Sequence, residues 1–142
     1  ATQAIQPPTT TNFLALEAPA YGSGVYSAEE IEVVLRTAYS GFVAASAESS
    51  RISGPNASGA MHTGYWDCGA YGGNRVLMAL VQIVGAQLAG TDVLVFHYGS
   101  AIEEVQRATE ILPGLRSKSK RVSELLHEVE KLGLQWGTSD GN

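Results

Sequence analysis

Val93-Leu94-Val95-Phe96-His97-Tyr98 is an apolar run of strand length with no polar alternation. Strands of that kind lie inside parallel sheets covered on both faces. The segment before it, Arg75 to Leu88, is apolar on nearly every face and ends at Gly90. A helix with that pattern belongs in the middle of a domain. Together the two segments restrict the chain to α/β architectures.

The remaining elements follow from spacing. Residues 1–11 hold Pro7-Pro8 and no apolar period, and read as an extended or mobile lead-in. Phe13-Leu14-Ala15-Leu16 is a short strand candidate, closed by Pro19 and Gly22. Ser27 and Glu30 have capping-box spacing. Ile31, Val34, Leu35, Ala38 and Phe42 then keep helical spacing, which predicts a helix from about Ala28 to Ala45. Ser46 to Gly59 has loop composition, and Ala60 to Thr63 is a further short strand. Ser100 with Glu103 repeats the capping-box spacing before a helix that Pro113-Gly114 should stop. Lys118, Lys120 and Arg121 open a last helix with Val122, Leu125, Leu126, Val129 and Leu132 on one face and Gly133 as its cap. The order β-α-β-α-β-α-α predicts an α/β fold with a largely parallel sheet. Three strands are few for such a sheet, which is either small or completed by sequence outside these 142 residues.

Composition excludes several classes of function. The net charge of −5 argues against a grip on nucleic-acid phosphates. The basic run at Lys118–Arg121 is too small to reverse that and reads as solvated. Charged residues make up 16% against about 25% in ordinary domains, and there are 16 glycines. Both features suit a chain buried on several faces, with loops that pass close to something. Val76 to Ala89 is too short for a membrane span. A single cysteine, Cys68, forms no internal disulfide. With no recognisable signal peptide at Ala1, it points to an intracellular protein, nuclear or cytoplasmic. No zinc-type Cys/His spacing is present, so neither a metal nor a cofactor is expected. Asn56-Ala57-Ser58 matches a glycosylation acceptor, a pattern common by chance.

The chemistry concentrates in Gly64-Tyr65-Trp66-Asp67-Cys68-Gly69-Ala70-Tyr71-Gly72-Gly73-Asn74, which joins a strand to the apolar helix. Glycines let backbone approach a ligand, and the N–H groups of the next helix turn point into the same space, which suits a phosphate or diphosphate. The segment is neither a Walker A loop nor a Gly-x-Gly-x-x-Gly turn. A tight turn with no ligand is the plainer reading. Tyr65, Trp66 and Tyr71 weigh toward a ligand, because flat side chains in a glycine loop serve bases and sugars better than a core.

Thr63 to Asn74, then Leu77, Ala79, Leu80 and Gln82, then Asp92 to Gly99, closely resemble the C-terminal part of the poly(ADP-ribose) glycohydrolase catalytic domain. That family writes the loop Thr-Gly-Asn-Trp-Gly-Cys-Gly-Ala-Phe-Gly-Gly-Asp. The spacing to the Val93–Tyr98 strand fits without a gap, and Ala38 to Phe42 resembles the preceding helix. The resemblance covers roughly residues 12–132 and implies a macrodomain-like fold, with residues 12–142 as the C-terminal portion of a glycohydrolase domain. It implies that Gly69, Ala70, Gly72 and Gly73 hold the ADP-ribose diphosphate. It places Tyr71 beside the terminal ribose and Tyr98 near the adenine, with Tyr65, Trp66 and Asn74 completing the ligand-binding set. The implied partners are ADP-ribose or poly(ADP-ribose) and the N-terminal part of such a domain.

Two departures stand out. Tyr65 takes the place of an Asn and Asp67 that of a Gly. Asp67 either repels a diphosphate or turns away and accepts hydrogen bonds from loop N–H groups, the reading slightly favoured here. The family's Gly-Gly-Gly…Gln-Glu-Glu catalytic segment does not occur in these 142 residues, so no catalytic residue is assigned. Glu29-Glu30 and Glu103-Glu104 read as solvated residues that complement helix dipoles. The implied activity is hydrolysis of ribose–ribose O-glycosidic bonds, this chain supplying the diphosphate loop and aromatics. The alternatives are a non-catalytic ADP-ribose-binding module and a degenerate structural relative. Among the other candidates, His97 reads as a hydrogen-bonded core residue and His62 as either a phosphate contact or a structural group. Cys68 reads as packing, His127 as exposed, and Trp136 as the residue that packs the C-terminal tail onto the domain.

Overall fold

A computed structural model describes residues 12–17, 22–54, 59–99 and 102–139. The elements run α1 (Ala28–Ser53), β1 (Ala60–Thr63), α2 (Arg75–Leu88), β2 (Val93–Phe96), α3 (Ile102–Ser117) and α4 (Val122–Glu130). The lead-in expected over residues 1–11 and the capping role of Ser100 lie outside the described residues.

The central helix is the one its sequence demands. Val76 to Gln82 and Val84 to Ala86 are all buried, so α2 has no wet face over its first three turns. It packs between α1 on one side of the chain order and α3 on the other. Strand β1 enters it, and β2 leaves it to pair with β1 in parallel, Ala60 opposite Val93 and Thr63 opposite Phe96. Gln82 is the one buried polar side chain of α2. It donates to the carbonyls of Gly64 at 3.0 Å and Met78 at 3.1 Å and accepts from the Thr63 hydroxyl. A buried amide with its partners in place costs little and fixes the β1 end against the helix.

Helix α1 begins on the predicted capping box. Ser27 Oγ accepts from the Glu30 N–H at 3.2 Å, and the Glu30 carboxylate accepts from the Ser27 N–H at 2.8 Å. It does not end at Ala45 but continues to Ser53. The apolar stripe stops at Phe42, and propensity carries the remainder: Ala44, Ala45 and Ala47 favour helix, and Arg51 forms two hydrogen bonds with Glu48 at 2.7 and 2.6 Å. Gly54, at φ +96°, closes it with a bond from its N–H to the Ser50 carbonyl.

Other expectations are corrected. Phe13–Leu16 is irregular, not a strand; Leu14 and Leu16 lie over Gly41 of α1, where a Cβ would sit 2.3 Å from a Leu16 methyl. The sheet therefore has two strands among the described residues, not three. β2 is not covered on both faces either: Val93 is 48% exposed. Pro113-Gly114 does not stop α3, which continues to Ser117. Leu112 and Leu115 are buried on either side of the break, and their burial offsets the lost backbone bond. α4 starts at Val122 rather than Lys118, and Val122 and Leu132 are 41% and 38% exposed, so its buried stripe narrows to Leu125, Leu126 and Val129. His97 is exposed beyond the end of β2, its Nε2 2.9 Å from Nδ1 of exposed His62. It leaves the core because β2 ends at Phe96, one residue before it.

Trp136 does anchor the tail. Its ring stacks on buried Tyr26 at 4.2 Å between centroids, and its Nε1–H donates to Glu30 at 3.2 Å. Main-chain bonds Tyr26 N–H to Leu134 and Trp136 N–H to Gly24, at 3.0 and 2.9 Å, join residues 24–26 to residues 134–136. None of the described helices is long and apolar enough to cross a membrane.

One glycine is dispensable. Gly114 sits inside α3 with nothing within 4 Å of where its Cβ would project. Gly114→Ala is expected to stabilise the protein by about 0.5–1 kcal/mol in urea denaturation.

Candidate functional site

The loop between β1 and α2 is shaped by its own backbone. The N–H groups of Trp66, Cys68, Gly72 and Gly73 donate to the carbonyls of Gly64, Tyr65, Gly69 and Asp67 at 2.8–3.2 Å. Asp67, Gly69 and Gly72 take φ of +67°, +81° and +71°. Two of these three positions are glycines, which accept that conformation without strain; Asp67 is the only non-glycine in the described residues to do so.

Asn74 ends the loop and starts the helix. Its side-chain oxygen accepts from the Val76 and Leu77 N–H groups, both at 3.1 Å. Its own N–H donates to the Tyr26 hydroxyl at 3.1 Å, and its amide NH2 to the Gln135 carbonyl at 2.9 Å. The donors of the first helix turn, expected to face a phosphate, are thus largely used by the N-cap. The N–H groups of Gly69 and Ala70 have no acceptor among the described residues.

A cavity of about 370 Å³ opens beside this backbone. From the predicted set, Gly69, Gly72, Gly73 and Asn74 line it, together with Cys68. Arg75, Glu104 and the tail residues Gly137 and Thr138 supply further wall. Ala70 and Tyr71 lie at the loop tip, with Tyr71 43% exposed. Tyr65 reaches the site through Arg75, whose guanidinium lies 5.4 Å from its ring centre. Two predicted residues stand apart. Trp66 faces a second, larger hollow bounded by residues 12–16, α1 and β1, and half-buried Tyr98 lines neither cavity.

Spacing arguments pass over Arg75 and Glu104. Arg75 is the one cation among the described residues on the cavity wall, and Glu104 holds it at 3.7 Å. Glu104 is therefore more than a solvated dipole partner. Arg75 does leave a trace in the sequence: it stands at the first helical position, where the dipole disfavours a cation. Gly137 and Thr138 leave none, being more than 60 residues from the loop along the chain.

Buried Asp67 and half-buried Cys68 set the electrostatics beneath the loop. Asp67 is 4% exposed, and neither carboxylate oxygen has a hydrogen-bond partner among the described residues. The supporting role favoured for its side chain is not what the structure contains; only its carbonyl is used, by the Gly73 N–H at 2.8 Å. Burial pushes the carboxyl up to about 6. Burial also pushes the Cys68 thiol up to about 12, with the Asp67 charge adding to it, so Cys68 is an inert thiol rather than a nucleophile.

A parallel β-α-β unit with a glycine loop and a glycine-lined cavity at the strand-to-helix turn defines an α/β domain with a candidate ligand site. Residues 5–105, well over half the chain, match the family described as poly(ADP-ribose) glycohydrolase, macro domain fold. The chain belongs to the poly(ADP-ribose) glycohydrolase family and represents its C-terminal catalytic region. Its substrate class is accordingly poly(ADP-ribose), and its architecture is α/β and macrodomain-like.

Proposed function

We propose that this chain is the ligand-holding part of a poly(ADP-ribose) glycohydrolase domain, with the ADP-ribose diphosphate seated in the glycine-lined cavity. The observation that carries this reading is the meeting of three features: Gly69 and Ala70 N–H groups that meet no acceptor among the described residues, close backbone at Gly72 and Gly73, and the Arg75 cation. A diphosphate needs donors and positive charge, and glycine backbone gives it access to both. Tyr71 is exposed at the loop tip, where it can pack on a ribose. Tyr98, outside the cavity, is assigned to the adenine end of the ligand.

Hydrolysis needs a carboxylic acid that protonates the departing ribose oxygen while an oxocarbenium-like centre forms. The Gln-Glu-Glu segment of the domain's N-terminal part supplies that group. The same part is the natural neighbour of the two-stranded sheet, since parallel pairs this small are stable when further strands and covering layers complete them. The hollow of about 930 Å³ beside residues 12–16 and Trp66 is where it packs. Cys68, a free and half-buried thiol, suits a nuclear or cytoplasmic setting.

Calorimetric titration with ADP-ribose tests the site. Gly72→Val forces a β-branched residue to φ +71°, with its Cβ 3.0 Å from the Gly137 carbonyl, and affinity should fall at least 30-fold. Arg75→Ala should weaken binding about tenfold, and that gap should narrow in high salt. Unchanged affinity in both variants would sink the assignment. The buried, unpaired Asp67 favours a second reading, a relative that keeps the fold and has relinquished turnover. Release of free ADP-ribose from the polymer, once the N-terminal part is added, would exclude it.

A further inference from the structure

Resting on that reading of the cavity, we propose that the C-terminal strap, Gln135–Thr138, is a positioning element of the ligand site. The strap lies outside the segment matched to the family, yet it holds the glycine loop at both of its last turns. The Gly137 N–H donates to the Gly72 carbonyl at 2.7 Å, and the Gln135 carbonyl accepts from the Asn74 amide at 2.9 Å. Gly73, the residue between them, is thereby fixed from both sides. The strap is itself held by Trp136, stacked on Tyr26, whose hydroxyl accepts the Asn74 N–H at 3.1 Å. A closed circuit results: Trp136 holds Tyr26, Tyr26 holds Asn74, and the residues flanking Trp136 hold Asn74 and Gly72.

Burial alone does not account for the far end of this strap. Trp136 is the last buried residue among those described, and Gly137 and Thr138 are exposed. They still fit so closely over Gly72 that a Cβ there would lie 3.0 Å from the Gly137 carbonyl and 3.3 Å from the Thr138 carbonyl carbon. Both also form part of the cavity wall. Exposed backbone that contributes little to the core, but fixes a φ +71° residue and bounds the cavity, acts on the site rather than on stability. Preorganisation of the loop removes an ordering cost that binding would otherwise carry.

A truncation series on the full chain separates the two roles. A chain ending at Trp136 keeps the aromatic anchor and removes the Gly72 contact. Its melting temperature should stay within about 2 °C of the full chain, while ADP-ribose affinity falls about tenfold. A chain ending at Ser139 should bind as the full chain does, which restores the contact and completes the control. Gly137→Pro, which removes the donor and turns the ring Cδ toward the Gly72 carbonyl, should reproduce the loss without truncation. Affinity unchanged in both the shorter chain and Gly137→Pro overturns the proposal, and so does a loss matched by global destabilisation. If the full chain itself fails to bind ADP-ribose, the ligand assignment falls, and hydrogen exchange decides the strap. The Gly72 and Gly73 amides should exchange at least tenfold faster in the chain ending at Trp136; equal exchange overturns the proposal there too.

Discussion

Asp67→Asn is expected to stabilise the protein at pH 7.5 by about 3 kcal/mol, roughly 10 °C in melting temperature. The carboxyl is raised from 3.8 to about 6 by burial, and no donor or cation among the described residues meets either oxygen. The titratable groups that face it, Tyr26 and Cys68, are both held neutral by burial and bring no compensating charge. The sign follows from the direction of the shift. The folded state binds this proton more tightly than the unfolded state, so the contribution of Asp67 to stability is highest below about pH 4. It declines as pH rises through 6 and is level above that. Asparagine keeps the shape, carries no charge and tolerates φ of +67°. Urea denaturation from pH 4 to 8 should show a decline in the parent protein that the Asn variant lacks. Parallel pH profiles for the two would mean that the carboxylate is solvated or paired after all.

Gly73→Ala should be the most damaging single-methyl addition in the loop. Its Cβ would lie 2.6 Å from the Asp67 carbonyl oxygen, 2.8 Å from its Oδ2 and 2.9 Å from its carbonyl carbon. The carboxylate could swing away, but the carbonyl belongs to the backbone and already accepts the Gly73 N–H. The loop must therefore move as a unit. We expect a loss of about 3 kcal/mol in stability and at least a 30-fold loss of ADP-ribose affinity. The double variant Asp67→Gly, Gly73→Ala should recover little of either, because it removes only the flexible part of the clash. Full recovery in the double variant would move the cause from the backbone to the carboxylate.

The sequence by itself determined whatever is settled within a turn or two of chain. The all-apolar pattern of Arg75–Leu88 dictated a central helix, Ser27 and Glu30 its neighbour's start, and the short strands at 60–63 and 93–96 their parallel pairing around it. The loop's glycines signalled close backbone, and its residue order carried the family. Tertiary structure decided the rest. Pro113 was absorbed by the burial of Leu112 and Leu115, and Phe13–Leu16 lay on α1 instead of joining the sheet. His97 turned out exposed rather than in the core, and the Asp67 carboxylate buried without the loop N–H partners expected for it. Arg75 met Glu104 across two helices, and Gly137 closed over Gly72 from the far end of the chain. Caps, periodicity and positive φ are local energies, written within a few adjacent residues. Burial and cavity walls are energies of contact between segments that meet only after folding, and no single window of sequence contains them.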